Sequence, residues 1–242
     1  MSDRPEPGSK VPWTSAWVAA VAAVWLLGLD IGFFLPTWRE TGSIRCQNNL
    51  KNIALAIGQY EQVFKALPPA RTVDADGRPL HSWRTLILPY LEQEDLYRSI
   101  DLTKPWDDPA NAAALATPLS IYRCPDAGPP GTTCYFASTG PDRAMAPDRP
   151  RPLAEIADPP GGVLLLFEAE AEADHAVPWM TPWDGEPSEF LRAAPYSRPP
   201  HGGGSNAAFL DGSVRFLDAD TPAEVRRAFA TIADGEPVDA AR

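Results

Sequence analysis

Proline sets the first limit on what this chain can become. Twenty-eight of its 242 residues are proline, more than twice ordinary usage. Proline fixes φ and carries no N–H, so it breaks helices and interrupts sheet ladders. Much of the chain must run as loops, turns and edge segments, and a large all-α bundle is excluded. A hydrophobic content of 44% still supplies a core. The formal net charge of -11, with no local basic face, argues against a nucleic-acid partner. Three cysteines are too few for a disulfide scaffold, and without a CxxC pair a cysteine-based zinc site is not expected.

Near the start, Trp13 to Leu29 carries no charge, and apolar character resumes from Ile31 to Leu35. About 20 apolar residues suffice to cross a bilayer as a helix, so residues 13–35 read as a membrane anchor behind a polar tail at 1–12. The rival, a cleaved signal peptide, fits worse: the run is too long, and no clean small-residue cleavage site follows it. Trp13, Trp17 and Trp38 lie near its ends, where interfacial aromatics sit. Asp30 lies near one end, within reach of headgroups, and Gly28 and Gly32 form a weak GxxxG spacing. Lys and Arg counts on the two sides do not decide orientation.

The remainder alternates short elements with loops. From Ser43 to Phe64, the residues Cys46, Leu50, Ile53, Ile57, Tyr60 and Phe64 recur every three or four positions, one apolar stripe on a helix. A helical region capped by Ser82 is expected to about Ile100 with Pro89 inside it, and a short helix over 109–116 capped by Asp107 or Asp108. Strands are expected at Ile121–Arg123, Cys134–Ser138 and Val163–Phe167, with long loops at 139–161 and 169–206. Asp211-Gly212, between Ala207–Leu210 and Ser213–Leu217, predicts a two-residue type I′ hairpin with both turn residues at positive φ. Thr221-Pro222-Ala223-Glu224 predicts a capping box opening a closing helix with Val225, Phe229 and Ile232 inward.

Six blocks together carry a family resemblance: CQNNLKNIALAIGQY from Cys46, SWRTLILPYLEQEDLY from Ser82, PWDDPAN from Pro105, YRCPD from Tyr122, VPWMTPWD from Val177, and HGGGSNAAFLDGSVRFL from His201. The last places nine residues between His201 and Asp211-Gly212. In this order they resemble a large bacterial family best known from planctomycetes, with pilin-like N-termini: domain of unknown function 1559, also labelled a bacterial solute-binding family. The resemblance implies an α+β, pilin-like fold. Its long N-terminal helix, half in the membrane and half amphipathic (36–64), would pack on an antiparallel sheet with long Pro/Gly-rich loops. Residues 65–220 would form an extracytoplasmic domain ending in the 207–217 hairpin, and 221–242 a closing helix and tail. Pro36 falls where such helices carry a kinking proline. Typical members also have a Gly-Phe processing site and an early glutamate. Here those positions hold Thr14-Ser15 and Ala19, which favours a permanently anchored relative. Cys46 and Cys124 both sit in matched blocks, so a Cys46–Cys124 disulfide is expected, with Cys124–Cys134 as the alternative.

The chemistry-bearing residues are scattered. His81, His175 and His201 with Glu168 and Asp211 are conceivable metal ligands, but no pair has helical i,i+4 spacing and there is no HExxH. His201 therefore reads as a structural residue, hydrogen-bonded at the base of the hairpin that Asp211 and Gly212 turn. Asp107, Asp108 and Asn111 suit calcium but are equally explained by capping. Trp83, Trp106, Trp179 and Trp183 would stack on a solute or fill the core. The reading that results is a single-pass inner-membrane protein with an extracytoplasmic domain, no cofactor or metal, and a structural or partner-binding role. Its partners would be the membrane and other envelope or pilin-like proteins. A membrane-tethered solute- or carbohydrate-binding module is the alternative; a metal-dependent hydrolase ranks third.

Overall fold

Helix α1, residues 42–64, opens the folded unit and fixes where everything else packs. The computed structural model describes residues 42–125, 129–169, 177–184, 201 and 203–233. The segment Trp13–Leu35 and His175 lie outside them. Among the described residues no helix is long and apolar enough to cross a membrane. The α1 stripe forms as its spacing predicts: Cys46, Leu50, Ile53, Ile57 and Tyr60 are all buried. Phe64 is the exception, 57% exposed. The helix stops there, and Lys65 turns the chain away at φ 58.

A small antiparallel pair, β1 (Arg71–Val73) and β2 (Pro79–Ser82), leads into α2 (Trp83–Leu86), whose first turn the Ser82 hydroxyl caps through Arg84 N. The longer helix expected up to Ile100 is broken. Pro89 starts a separate 3-10 turn over Leu88–Leu91, and Glu92 at φ 58 ends it before α3 (Glu94–Arg98). Asp108 caps the 3-10 turn Pro109–Asn111 through Ala110 N, and the chain continues into α4 (Ala112–Leu115). Ile121–Arg123, expected as a strand, instead forms most of a 3-10 turn, Ser120–Tyr122, with Arg123 as its C-cap. The Tyr122 side chain is wholly buried, and its hydroxyl donates to Arg84 O at 2.7 Å.

Two strands of two residues, β3 (Thr132–Thr133) and β6 (Val177–Pro178), pair with each other. The main sheet holds β4 (Tyr135–Ala137), β5 (Leu164–Glu168), β7 (Gly204–Phe209) and β8 (Val214–Asp218) in the spatial order β4-β5-β7-β8, antiparallel throughout. Both faces are covered. Side chains alternate across a strand, so Tyr135, Ala137, Leu166 and Ala208 join the core built on α1. Phe136, Phe167, Ala207 and Phe209 join a second core with Phe229 of α5 (Ala223–Ala230). An α+β fold with a helix on each face of an antiparallel sheet is the result.

Two local expectations fail for identifiable reasons. The turn between β7 and β8 is not a two-residue type I′ turn. Phe209 O accepts from Gly212 N at 2.9 Å, and Phe209 N donates to Ser213 O at 2.9 Å. Only Gly212 is at positive φ, 80°. That is a three-residue loop, a type I turn closed by a glycine bulge, which needs one left-handed residue rather than two. Asp211 contributes by accepting from Ser213 N at 2.9 Å. The capping box at Thr221 does not form either. Pro222 occupies the cap position without a side-chain bond, and the buried Arg226 reaches back to Asp218 O at 2.6 Å and Thr221 O at 3.3 Å.

One ion pair ties the periphery to the sheet. Arg84 and Asp184 meet at 2.6 Å with side chains 0% and 2% exposed. Arg84 Nη2 also donates to Tyr135 O at 2.6 Å, and Asp184 accepts from Ala137 N and from the Trp83 indole. Asp184 and Trp183 belong to one of the family blocks, and this pair explains what that block does for the fold.

Candidate functional site

The most chemically loaded place in the molecule lies between α1 and the sheet. Cys46 stands in the second turn of α1, and the stripe aims it at the β4–β5–β7 face. Cys124 follows the 3-10 turn that ends at Tyr122. Glu168 is the last residue of β5, on the same face as Leu166 and directly across from Tyr135. His201 precedes β7 and is tied to it by an isolated bridge, with Gly204 N donating to His201 O at 3.0 Å. All four are buried, and one donor atom from each lies within 4.8 Å of every other.

The distances inside the group are specific. His201 Nε2 lies 3.9 Å from Cys124 Sγ and 3.5 Å from Glu168 Oε1. Both are long for hydrogen bonds. Glu168 Oε2 is fully engaged, accepting from Asn206 N at 2.8 Å and Asn206 Nδ2 at 2.9 Å. Glu168 Oε1 is buried, takes no hydrogen bond and faces the group. A buried polar atom without a hydrogen bond calls for an explanation. Around the cluster, the Tyr135 hydroxyl hydrogen-bonds Cys46 and accepts from Asn49 Nδ2 at 3.2 Å.

The electrostatics follow from packing two thiols against a carboxylate. The contact with Cys124, then burial, then the Glu168 charge push the Cys46 thiol far above its ordinary value. Burial, contact with Cys124 and the Glu168 charge do the same to Cys134, whose side chain abuts Cys124. Burial works against charging His201, but its contacts with Cys124 and Glu168 outweigh it and raise the imidazole to about 10.

Of the expected site residues, His201 is thus at the base of β7, as its block suggested. Asp211 and Gly212 are not beside it in the cluster; they serve the hairpin turn. The Cys46–Cys124 disulfide is not formed. No disulfide joins Cys46, Cys124 and Cys134, and Cys46 and Cys124 share a group with an imidazole and a carboxylate instead. Two thiols, one imidazole and one carboxylate are donors that suit a metal ion, contrary to the expectation from the missing CxxC pair. His81 is buried elsewhere and, among the described residues, belongs to no such group. Asn111, entertained for calcium, spends its amide on Asp101 N, Asp101 O and Pro105 O.

The tryptophans do not line a solute site. Trp83 and Trp179 are wholly buried; the Trp179 indole donates to Thr117 O at 3.0 Å and its ring stacks on Tyr122 at 5.9 Å. Trp106 packs against the core and Trp183 is exposed beside Arg71. Two open grooves flank α1. One of about 320 Å³ is lined by Arg45, Asn48, Asn49, Ser120, Arg123 and Pro125. The other, about 400 Å³, includes Asn52, Gln59, Tyr90 and Glu92. Neither is lined by a tryptophan or by a member of the cluster.

No curated protein and no solved structure matches the chain. The family described as "Protein of unknown function (DUF1559)" matches residues 43–153, a span that begins within α1 and includes both Cys46 and Cys124. Over residues 43–153 the chain is thus similar to the DUF1559 family of proteins of unknown function.

Proposed function

We propose that the protein is a membrane-anchored, pilin-like envelope protein with a structural or partner-binding role and no catalytic part. The observation that carries this is α1. It is the first described element after the apolar run of residues 13–35, and its inward stripe is buried against the sheet over about four turns, from Cys46 to Tyr60. A chain built this way fuses its anchor to its core. The cluster supports a non-catalytic reading because its members are 5% exposed or less and neither groove reaches it. A catalytic site needs a reachable pocket around its titratable groups. The solute-binding alternative loses its aromatic platform to the core.

Fractionation tests the proposal. After carbonate washing, the full-length chain should remain in the inner-membrane fraction, and crosslinking in intact cells should join it to envelope proteins through its folded domain. Recovery in the soluble fraction would overturn the anchor. A membrane-bound chain that forms no crosslinks but retains a defined sugar or other small solute would favour the alternative.

A further inference from the structure

We propose that Cys46, Cys124, Glu168 and His201 form a closed, four-coordinate Zn(II) site that fastens the N-terminal helix to the sheet. The donor set is the first argument. Zinc takes thiolate sulfur, imidazole nitrogen and carboxylate oxygen, and its structural sites are tetrahedral and shut off from water. All four residues are buried.

Geometry is the second argument. Zinc–ligand bonds of about 2.0–2.3 Å place the donors of a tetrahedron about 3.3–3.8 Å apart. The separation of 3.5 Å from His201 Nε2 to Glu168 Oε1 falls inside that range and that of 3.9 Å to Cys124 Sγ just above it, and both are long for hydrogen bonds. The same imidazole nitrogen makes both approaches, as a single ligand atom must.

The third argument is the partner shell. Ligating carboxylates are themselves held by hydrogen bonds, and these fix which oxygen meets the metal. Glu168 Oε2 is held by two donors of Asn206, which leaves buried Oε1 without a hydrogen bond and turned inward. The Tyr135 hydroxyl steadies the Cys46 sulfur. Binding balances simply: the two thiols and Nε2 release their protons, the sulfurs, Nε2 and Oε1 bond to zinc, and no oxidant or reductant is needed. Cys134 lies beside Cys124 but outside the donor set, which makes it a built-in control.

The experiment uses the full-length protein purified in detergent with zinc present and then dialysed. Elemental analysis should give one zinc per chain. Cys46→Ser and His201→Ala should each lose most of it, and Cys134→Ser should keep it. Should a variant fail to fold, the wild-type chain still answers: cobalt loaded into the stripped protein should give the intense visible bands and thiolate charge-transfer absorption of a tetrahedral two-sulfur site. Chelation should lower Tm by roughly 10 °C or more, since metal binding here is folding energy. Zinc-free wild-type protein, zinc that survives both ligand substitutions, octahedral cobalt spectra, or an intact mass showing Cys46 and Cys124 oxidised to a disulfide would each overturn the site. None of these readouts depends on where the protein sits in the cell, so the site and the proposed function fail separately.

Discussion

Arg84 shows how much a single side chain holds in this chain. Its guanidinium reaches Tyr135 O on β4 and, from a distant stretch of the chain, Thr181 O and Asp184. Removing one member of a fully buried pair strands the other's charge, which costs about 3–5 kcal/mol. Arg84→Met should therefore lower the unfolding free energy by that amount in denaturant titrations, and adding Asp184→Asn should recover part of the loss. Strict additivity of the two would show that they do not act as a pair. Gly212 is a residue of a different kind. A Cβ there meets nothing within 4 Å, but the backbone sits at φ 80. The strain of Gly212→Val is thus conformational, about 1–3 kcal/mol, and Gly212→Asn, which tolerates left-handed backbone, should lose much less. Equal losses for both would mean that shape, not φ, selects the glycine. That Gly212 needs positive φ is readable from Asp-Gly between two strand-like runs. That Asp211 does not need it is decided by Phe209, which pairs with Ser213 and so lengthens the loop by one residue.

At the level of elements, the three-four periodicity in α1 predicts burial until the helix ends. Ile57→Asp puts an unpaired charge into the core and should destabilise by roughly 3 kcal/mol or more. Phe64→Asp, at a position the periodicity also assigns inward, should change stability by less than about 0.5 kcal/mol, because that ring is exposed. Gly58→Ala has open space around its Cβ and should add about 0.5–1 kcal/mol through helix propensity. Thermal melts of the three variants check the order; a Phe64→Asp loss as large as that of Ile57→Asp would place the end of the helix elsewhere. β5 and β4 were legible because their runs are short, apolar and aromatic. The stretch from Ser82 to Ile100 was not: helical periodicity says nothing about where a proline will convert one helix into three pieces. Ile121–Arg123 has strand-like composition, but Tyr122 is buried through its own hydroxyl bond to Arg84 O rather than through alternation. The cluster was half visible. Cys46, Cys124 and His201 each lie in a matched block, but pairing the cysteines with each other hid their common neighbour. Glu168, at the end of Leu164–Phe167, looks like the polar boundary of a strand until the register sets it across from Tyr135.

For the whole molecule, the proposed pilin-like reading places Ala19 and Thr14-Ser15 where a glutamate and a processing junction would be expected. The intact mass of protein recovered from membranes should therefore match the unprocessed chain, and a new terminus near Ser15 would show otherwise. The fold also sets an order of assembly. Ser43, at the start of α1, is hydrogen-bonded to Asn206 from 163 residues further along the chain. Cys46 waits nearly as long for His201. A ribosome adding about 5–20 residues per second needs on the order of 10–30 s to cover that distance. Throughout that interval the sheet that buries the α1 stripe is incomplete, lacking β7 and β8, and two thiols destined for the same interior stay exposed to whatever oxidants the compartment holds. Nascent chains of this protein should thus depend on a holdase or on the bilayer surface to shelter α1. The cysteines face their greatest risk of wrong pairing during synthesis, not in the finished fold.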